Sequence, residues 1–200
     1  MKTISKVIVS MVVMIVTVVM LRSTNSAPLP SKSIAATRIV APPTPIKKKA
    51  IKRKIPTPRG DLSDFMIKLA KIESDNNPRA VNRLGMMGKY QFSPRTLRMM
   101  GFHESREEFL SNEQLQDSAL VAYLKENRSI LRNVIRRYEN TWYRGVYITR
   151  SGILASAHLT GHGGVRAFFD PEKHNYATAD ANGTTVELYM KKFANYRLGF

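Results

Sequence analysis

Glu73 is the residue whose type and position imply chemistry most directly. It follows Leu69 by four positions, Met66 by seven and Leu62 by eleven. A helix through these residues puts the Glu73 carboxyl on the apolar stripe, away from the solvent face. A carboxylate at the edge of a core is costly while charged and unpaired. Desolvation favours the protonated form, which a general acid needs near neutral pH. The bland alternative is a Glu at a fraying helix end whose side chain swings into water. The run Ser74-Asp75-Asn76-Asn77-Pro78 stops the helix just after it.

His158, His162 and His174 are the other chemically able group. His158 and His162 are four apart, a spacing that can set two metal ligands on one helix face. Gly161, Gly163 and Gly164 are expected to break the helix there, and His-Glu-x-x-His does not occur. A metal site is not expected, and no cofactor is implied. The same glycines do not follow a strand, so they predict a tight turn between helices and no phosphate loop. With no cysteine there is no disulfide, thiolate nucleophile or acylated lipoprotein anchor.

The elements that must position these residues read as helices. Leu62, Phe65, Met66, Leu69 and Ile72 follow the helical apolar period. Ser93-Pro94 predicts an N-cap followed by N1, and Gly101 a C-terminal stop. Ser105 with Glu108, Ser111 with Gln114, and Thr184 with Glu187 fit capping boxes. Helices are expected over about 112–127, 129–138 and 150–159, the last closed by Gly161. A final amphipathic helix should run through Val186, Tyr189, Met190 and Phe193. Short extended pieces fit only 88–92 and 142–148. The expected fold is mainly α with at most a very short β element, and the sequence contains no internal repeat.

Residues 72–92, IESDNNPRAVNRLGMMGKYQF, resemble the catalytic segment of soluble lytic transglycosylases and goose-type lysozymes. In that family a helix ends in Glu-Ser, followed by Asn-Pro-x-Ala and a Gly-rich turn leading to Gln. Here these are Glu73-Ser74, Asn77-Pro78-Arg79-Ala80, and the turn from Gly85 to Gln91, with Tyr90 where Met is usual. Residues 155–165, ASAHLTGHGGV, resemble the family's Ala-Tyr-Asn-Ala-Gly segment, with His158 and Leu159 in place of Tyr and Asn. Tyr189 in TTVELYMKKF is similar to the family tyrosine that hydrogen-bonds the catalytic carboxyl, though the usual preceding Glu-Thr is missing. The resemblance covers about 62–196. It implies a lysozyme-like helical domain that cleaves peptidoglycan glycan strands. It assigns Glu73 as catalytic acid and base, Tyr189 as its orienting partner, and Ser74, Tyr90, Gln91 and His158 as substrate contacts.

The transglycosylase branch needs one carboxylate. Hydrolysis needs a second one to position water, for which Asp75, Asp117, Asp170 and Asp180 are the available residues. A non-catalytic wall-binding module is a third reading. Arg132, Arg136 and Arg137 read as a solvated basic face, and nucleic acid is not expected as a partner. Trp142, Tyr143 and Tyr147 read as core or groove wall.

Ahead of this region the chain changes character. Residues 1–60 carry 12 Lys and Arg and no acids, so most of the net charge of +17 precedes the folded part. Lys2 and Lys6 precede an uncharged, mostly apolar run from Val7 to Leu21 that Arg22 ends. Its 15 residues are short against the roughly 20 of a spanning helix and fit an export signal over 1–27. Pro28 directly after Ala27 makes a poor cleavage site, so a retained membrane anchor stands beside a cleaved signal. Residues 28–60 hold seven prolines and the basic run Lys47 to Lys54, the composition of a disordered linker able to contact an anionic wall or membrane. The expected product is an exported protein of the periplasm or cell envelope, acting as a monomer through residues 61–200.

Overall fold

The computed structural model describes residues 54–200. The segment expected to direct export, and most of the proline-rich stretch, lie outside the described residues. The described chain is mainly helical. It runs α1 (Leu62–Ser74), α2 (Pro94–Met99), α3 (Arg106–Ser111), α4 (Glu113–Ile130), α5 (Arg132–Tyr138), β1 (Trp142–Tyr143), β2 (Val146–Tyr147), α6 (Arg150–Phe169) and α7 (Val186–Lys192). The two strands form an antiparallel hairpin that pairs Trp142 with Tyr147 and Tyr143 with Val146. No helix among the described residues is long and apolar enough to cross a membrane.

The caps explain where the helices start. Asp61 accepts from Ser63 N and Asp64 N, and the Asp64 side chain answers to Asp61 N, closing a capping box ahead of α1. Ser93 caps α2 with Pro94 behind it, and Ser105 with Glu108 forms the box of α3. Two caps sit one residue later than the sequence patterns suggested. Asn112 caps α4 by accepting from Leu115 N, and Thr185 caps α7 by accepting from Leu188 N. Both residues are at least as able N-caps as the neighbours that completed the S/T-x-x-E/Q pattern.

Position α6 is the spine. Seven successive residues, Ser151 to Ala157, are buried, the signature of a helix enclosed on all sides. Gly161 (φ 72°, ψ 170°) interrupts the helix as expected. Gly163 and Gly164 do not break it further: a second helical stretch continues to Phe169, with both glycines buried inside it. Their missing side chains make room for the segment after α6, where Tyr176 covers Gly163 and the Ala177 carbonyl lies over Gly164.

Against α6 lies α7, locked by Ser151 Oγ donating to Phe193 O (2.6 Å) and Ser156 Oγ donating to Val186 O (3.0 Å). A Cβ on Gly152 would stand 2.8 Å from Met190 O, so the approach requires glycine. One side of this pair packs with α1 and α4 through Phe65, Leu69, Leu120, Leu124 and Phe193. The other packs with α5 and the hairpin through Leu131, Ile148, Ile153, Val165 and Met190. On α1, Phe65 and Leu69 are buried as the periodicity predicted, but Ile72, in the last turn of the helix, is exposed.

The fold begins slightly before residue 61. Arg59 N donates to Asn195 O (2.7 Å) and Arg197 N to Gly60 O (2.9 Å), so the end of the stretch read as linker is clasped to the C-terminal segment.

Candidate functional site

At the end of α1, Glu73 is half-buried and faces α7. The Tyr189 hydroxyl donates to Glu73 Oε1 at 2.8 Å across 116 residues of sequence. Tyr189 is 2% exposed, and its ring leans on Phe193, which in turn packs on Phe65 of α1. Burial first, then the charge and hydrogen bond of Glu73, then the charge of Asp180 hold the Tyr189 hydroxyl well above the ordinary tyrosine value. It therefore stays protonated and remains a donor. Oε1 of Glu73 is thereby occupied as an acceptor.

The turn after α1 is built by local acceptors. Asp75 ends the helix in the left-handed region (φ 59°) and pairs with Lys71. Asn77 Oδ1 accepts from Arg79 N (2.9 Å), and Asn82 Oδ1 from Leu84 N and Met86 N (2.8 and 3.1 Å). These asparagines shape the loop through side-chain to backbone bonds. Ser74 closes it: its Oγ donates to Lys89 O (2.9 Å) and accepts from Asn77 N (3.1 Å). Ser74 thus fixes the loop beside Glu73 through its hydroxyl.

The loop is pinned from below by α4. Fully buried Gln116 accepts from Lys89 N (2.8 Å) and donates to Pro78 O and Phe109 O (3.0 and 2.9 Å). Gly88 has φ +79°, and a Cβ there would meet Gln116 Oε1 at 2.7 Å, so glycine is required twice over. Lys89, 7% exposed, pairs with Asp117 (2.9 Å) and reaches Glu113 (3.4 Å). The Tyr90 hydroxyl donates to Asp117 (2.5 Å), and burial with this carboxylate raises the hydroxyl far above its ordinary value.

Two of the expected substrate contacts are engaged within the fold. Tyr90 is 2% exposed, and its ring belongs to the core. His158 packs edge-on between Phe92 and Tyr123, and its Nε2 lies 2.8 Å from Tyr90 O. A carbonyl only accepts, so Nε2 is the donor and His158 holds the loop from the α6 side. Its Nδ1 is buried with no partner among the described residues. Gln91 (φ 52°) spends its amide nitrogen on Gly88 O (3.0 Å) but stays half-exposed with its carbonyl oxygen available.

The structure also sorts the other carboxylates. Asp75 is engaged by Lys71, Asp117 by Lys89 and Tyr90, and Asp170 by Lys173. Asp180 caps its own turn, accepting from Asn182 N and Thr184 N (2.9 and 2.7 Å), while its charge reaches Tyr189. Gln116 and Lys89 escaped the sequence reading. Gln116 sits on the buried face of α4 with Ala119, Leu120 and Leu124, and an amide on that stripe was the available signal. Among the described residues no group of three or more His, Asp or Glu could hold a metal ion.

A cleft of about 540 Å³ lies elsewhere, where Pro56 and Pro58 meet Tyr147, Arg150, Tyr196 and Phe200. Its lining residues Ile55, Pro56 and Pro58 precede α1, and Glu73 stands at the other end of that helix, roughly 17 Å along its axis at 1.5 Å per residue. Of its charged members, Arg150 and Glu139 are paired with each other (3.2 Å), and Arg197 is the third. No family model matches the chain, and no match is found among curated proteins or among solved structures.

Proposed function

We propose that residues 61–200 form a lysozyme-like peptidoglycan lytic transglycosylase, exported to the cell envelope, with Glu73 as its acid and base. The observation that carries the reading is the Tyr189–Glu73 hydrogen bond (2.8 Å) at the mouth of a rigidly pinned loop. The sequence resemblance implies that pairing, and the two residues are remote in sequence.

In this reading Glu73 donates its proton from Oε2 to the glycosidic oxygen between N-acetylmuramic acid and N-acetylglucosamine. The bond from C1 to that oxygen breaks. The C6 hydroxyl oxygen of the same muramic residue bonds to C1, and its proton passes to Glu73, restoring the acid. The product ends in 1,6-anhydro-N-acetylmuramic acid, and neither water nor a cofactor is consumed. Tyr189 holds Glu73 at Oε1 throughout, and the free oxygen of Gln91 accepts from a sugar hydroxyl or amide. Engagement of Asp75, Asp117 and Asp170 elsewhere supports the single-carboxylate route over hydrolysis.

Asp180 favours a second reading, a hydrolase. Its charge is felt at Tyr189, the partner of Glu73, which supports it as the carboxylate to test for a water-positioning role. Mass spectrometry of products from intact peptidoglycan separates the two. Anhydro-ended products from wild type, absent with Glu73→Gln, are expected. Reducing-end products that disappear with Asp180→Asn would establish the hydrolase instead. Sedimentation with the wall and no product at all would leave a binding module.

A further inference from the structure

The segment between α6 and α7 is not a passive connection. It is fixed along its length by His174 N to Asp170 O (3.2 Å), Asp180 N to Thr184 O (2.9 Å) and Val186 N to Thr178 O (2.9 Å). Midway, a Cβ on Gly164 would stand 2.6 Å from Ala177 O, so the segment is seated directly on the α6 backbone.

On this seat lies Tyr176. Its Cγ, Cδ1 and Cε1 are 2.9, 2.9 and 3.1 Å from the place a Gly163 Cβ would occupy. Three successive ring atoms at nearly equal distance describe a ring lying face-down, since an edge-on ring would bring one atom much closer than the rest. The opposite face is turned to solvent, and the residue is 64% exposed. Its hydroxyl has no hydrogen-bond partner among the described residues. An aromatic ring held flat on a glycine, with one face and its polar tip open, is unusual for a side chain that serves only packing.

The position is as informative as the geometry. Gly161 has open space where its side chain would be. It lies between His158, which holds the Tyr90–Gln91 turn, and Gly163 beneath Tyr176. At its other end the same segment carries Asp180, whose charge is felt at Tyr189, the hydrogen-bond partner of Glu73. The chain that seats Tyr176 on Gly163 thus leads directly to the Glu73–Tyr189 pair.

We infer that Tyr176 is a sugar-stacking platform, binding the apolar face of one pyranose ring of the glycan strand. The inference rests on the glycan-directed reading of the site but not on cleavage. The full chain carrying Glu73→Gln is sedimented with insoluble peptidoglycan at high salt, which screens the basic residues. Adding Tyr176→Ala or Tyr176→Leu should weaken retention roughly fivefold. Adding Tyr176→Phe should leave it within about twofold, because the π-face is kept. Leu still covers Gly163, so a fault of packing alone would spare it. Retention unchanged in both the Ala and the Leu variants, or kept by Leu as well as by Phe, overturns the platform. Absence of anhydro products from wild type, with retention still dependent on Tyr176, would sink the transglycosylase and leave the platform standing.

Discussion

Tyr189 can only work on Glu73 by donating, and its environment forces that role. Tyr189→Phe removes one hydrogen bond to a charged group, worth about 1.5–3 kcal/mol. Loss of that orientation should lower kcat about 10–100-fold with KM little changed, measurable by release of soluble fragments from peptidoglycan. Alkaline stability provides a second check at this scale. Tyr90, Tyr123 and Tyr189 are all held above the ordinary tyrosine value, each chiefly by burial. Below about pH 10 folded and unfolded chains bind these protons equally. As pH rises past that value the unfolded chain releases them first, so stability must fall, by about 1.4 kcal/mol per pH unit for each tyrosine. Urea titrations at two alkaline pH values should show the fall, and Tyr189→Phe should make it shallower.

The elements hold these residues through a few close approaches. Gln116→Ala orphans Lys89 N and Pro78 O and leaves Phe109 O only its bond from Asn112 N (3.4 Å). With about 1–3 kcal/mol per unsatisfied buried group, a loss of about 2 kcal/mol or more is expected, read as a lower Tm. Activity should suffer more than stability implies, because the loop beside Glu73 is what loosens. Gly152→Val is the corresponding test on α6. It drives a side chain into Met190 O, so α7 must shift and take Tyr189 with it. Circular dichroism should show helix retained while the product assay shows activity lost. Much of this was legible beforehand: the α1 stripe, the cap of α2, the box of α3 and extended backbone near Trp142 all follow from local spacing, whereas the extended piece expected over 88–92 is a turn. The continuation of α6 past Gly161 was not. Glycines 163 and 164 look like breakers in isolation, and only the segment packed on them explains why the helix resumes.

For the whole molecule, the pairing of residues 73 and 189 was reachable only through family resemblance, since no local pattern links positions 116 apart. The fates of Tyr90 and His158 were out of reach for the same reason. Their partners, Asp117 on α4 and the Tyr90 carbonyl, come from other elements. Lys89 illustrates how far that interdependence extends. Lys89→Met leaves half-buried Asp117 with the Tyr90 hydroxyl but without its cation, and loss of one such charged hydrogen bond costs about 1.5–3 kcal/mol. The double variant Lys89→Met with Asp117→Asn should recover part of that loss in chemical denaturation, which a simple cavity would not allow.

The clasp of Arg59 and Gly60 on residues 195–197 has a mechanical consequence. These two backbone bonds lie at one end of α1 and Glu73 at the other. A pull applied to the chain just ahead of Arg59 therefore meets the Asn195–Arg197 backbone before it reaches the turn after Ser74. Stretching the molecule from that side should open the clasp first and leave the Glu73–Tyr189 bond in place.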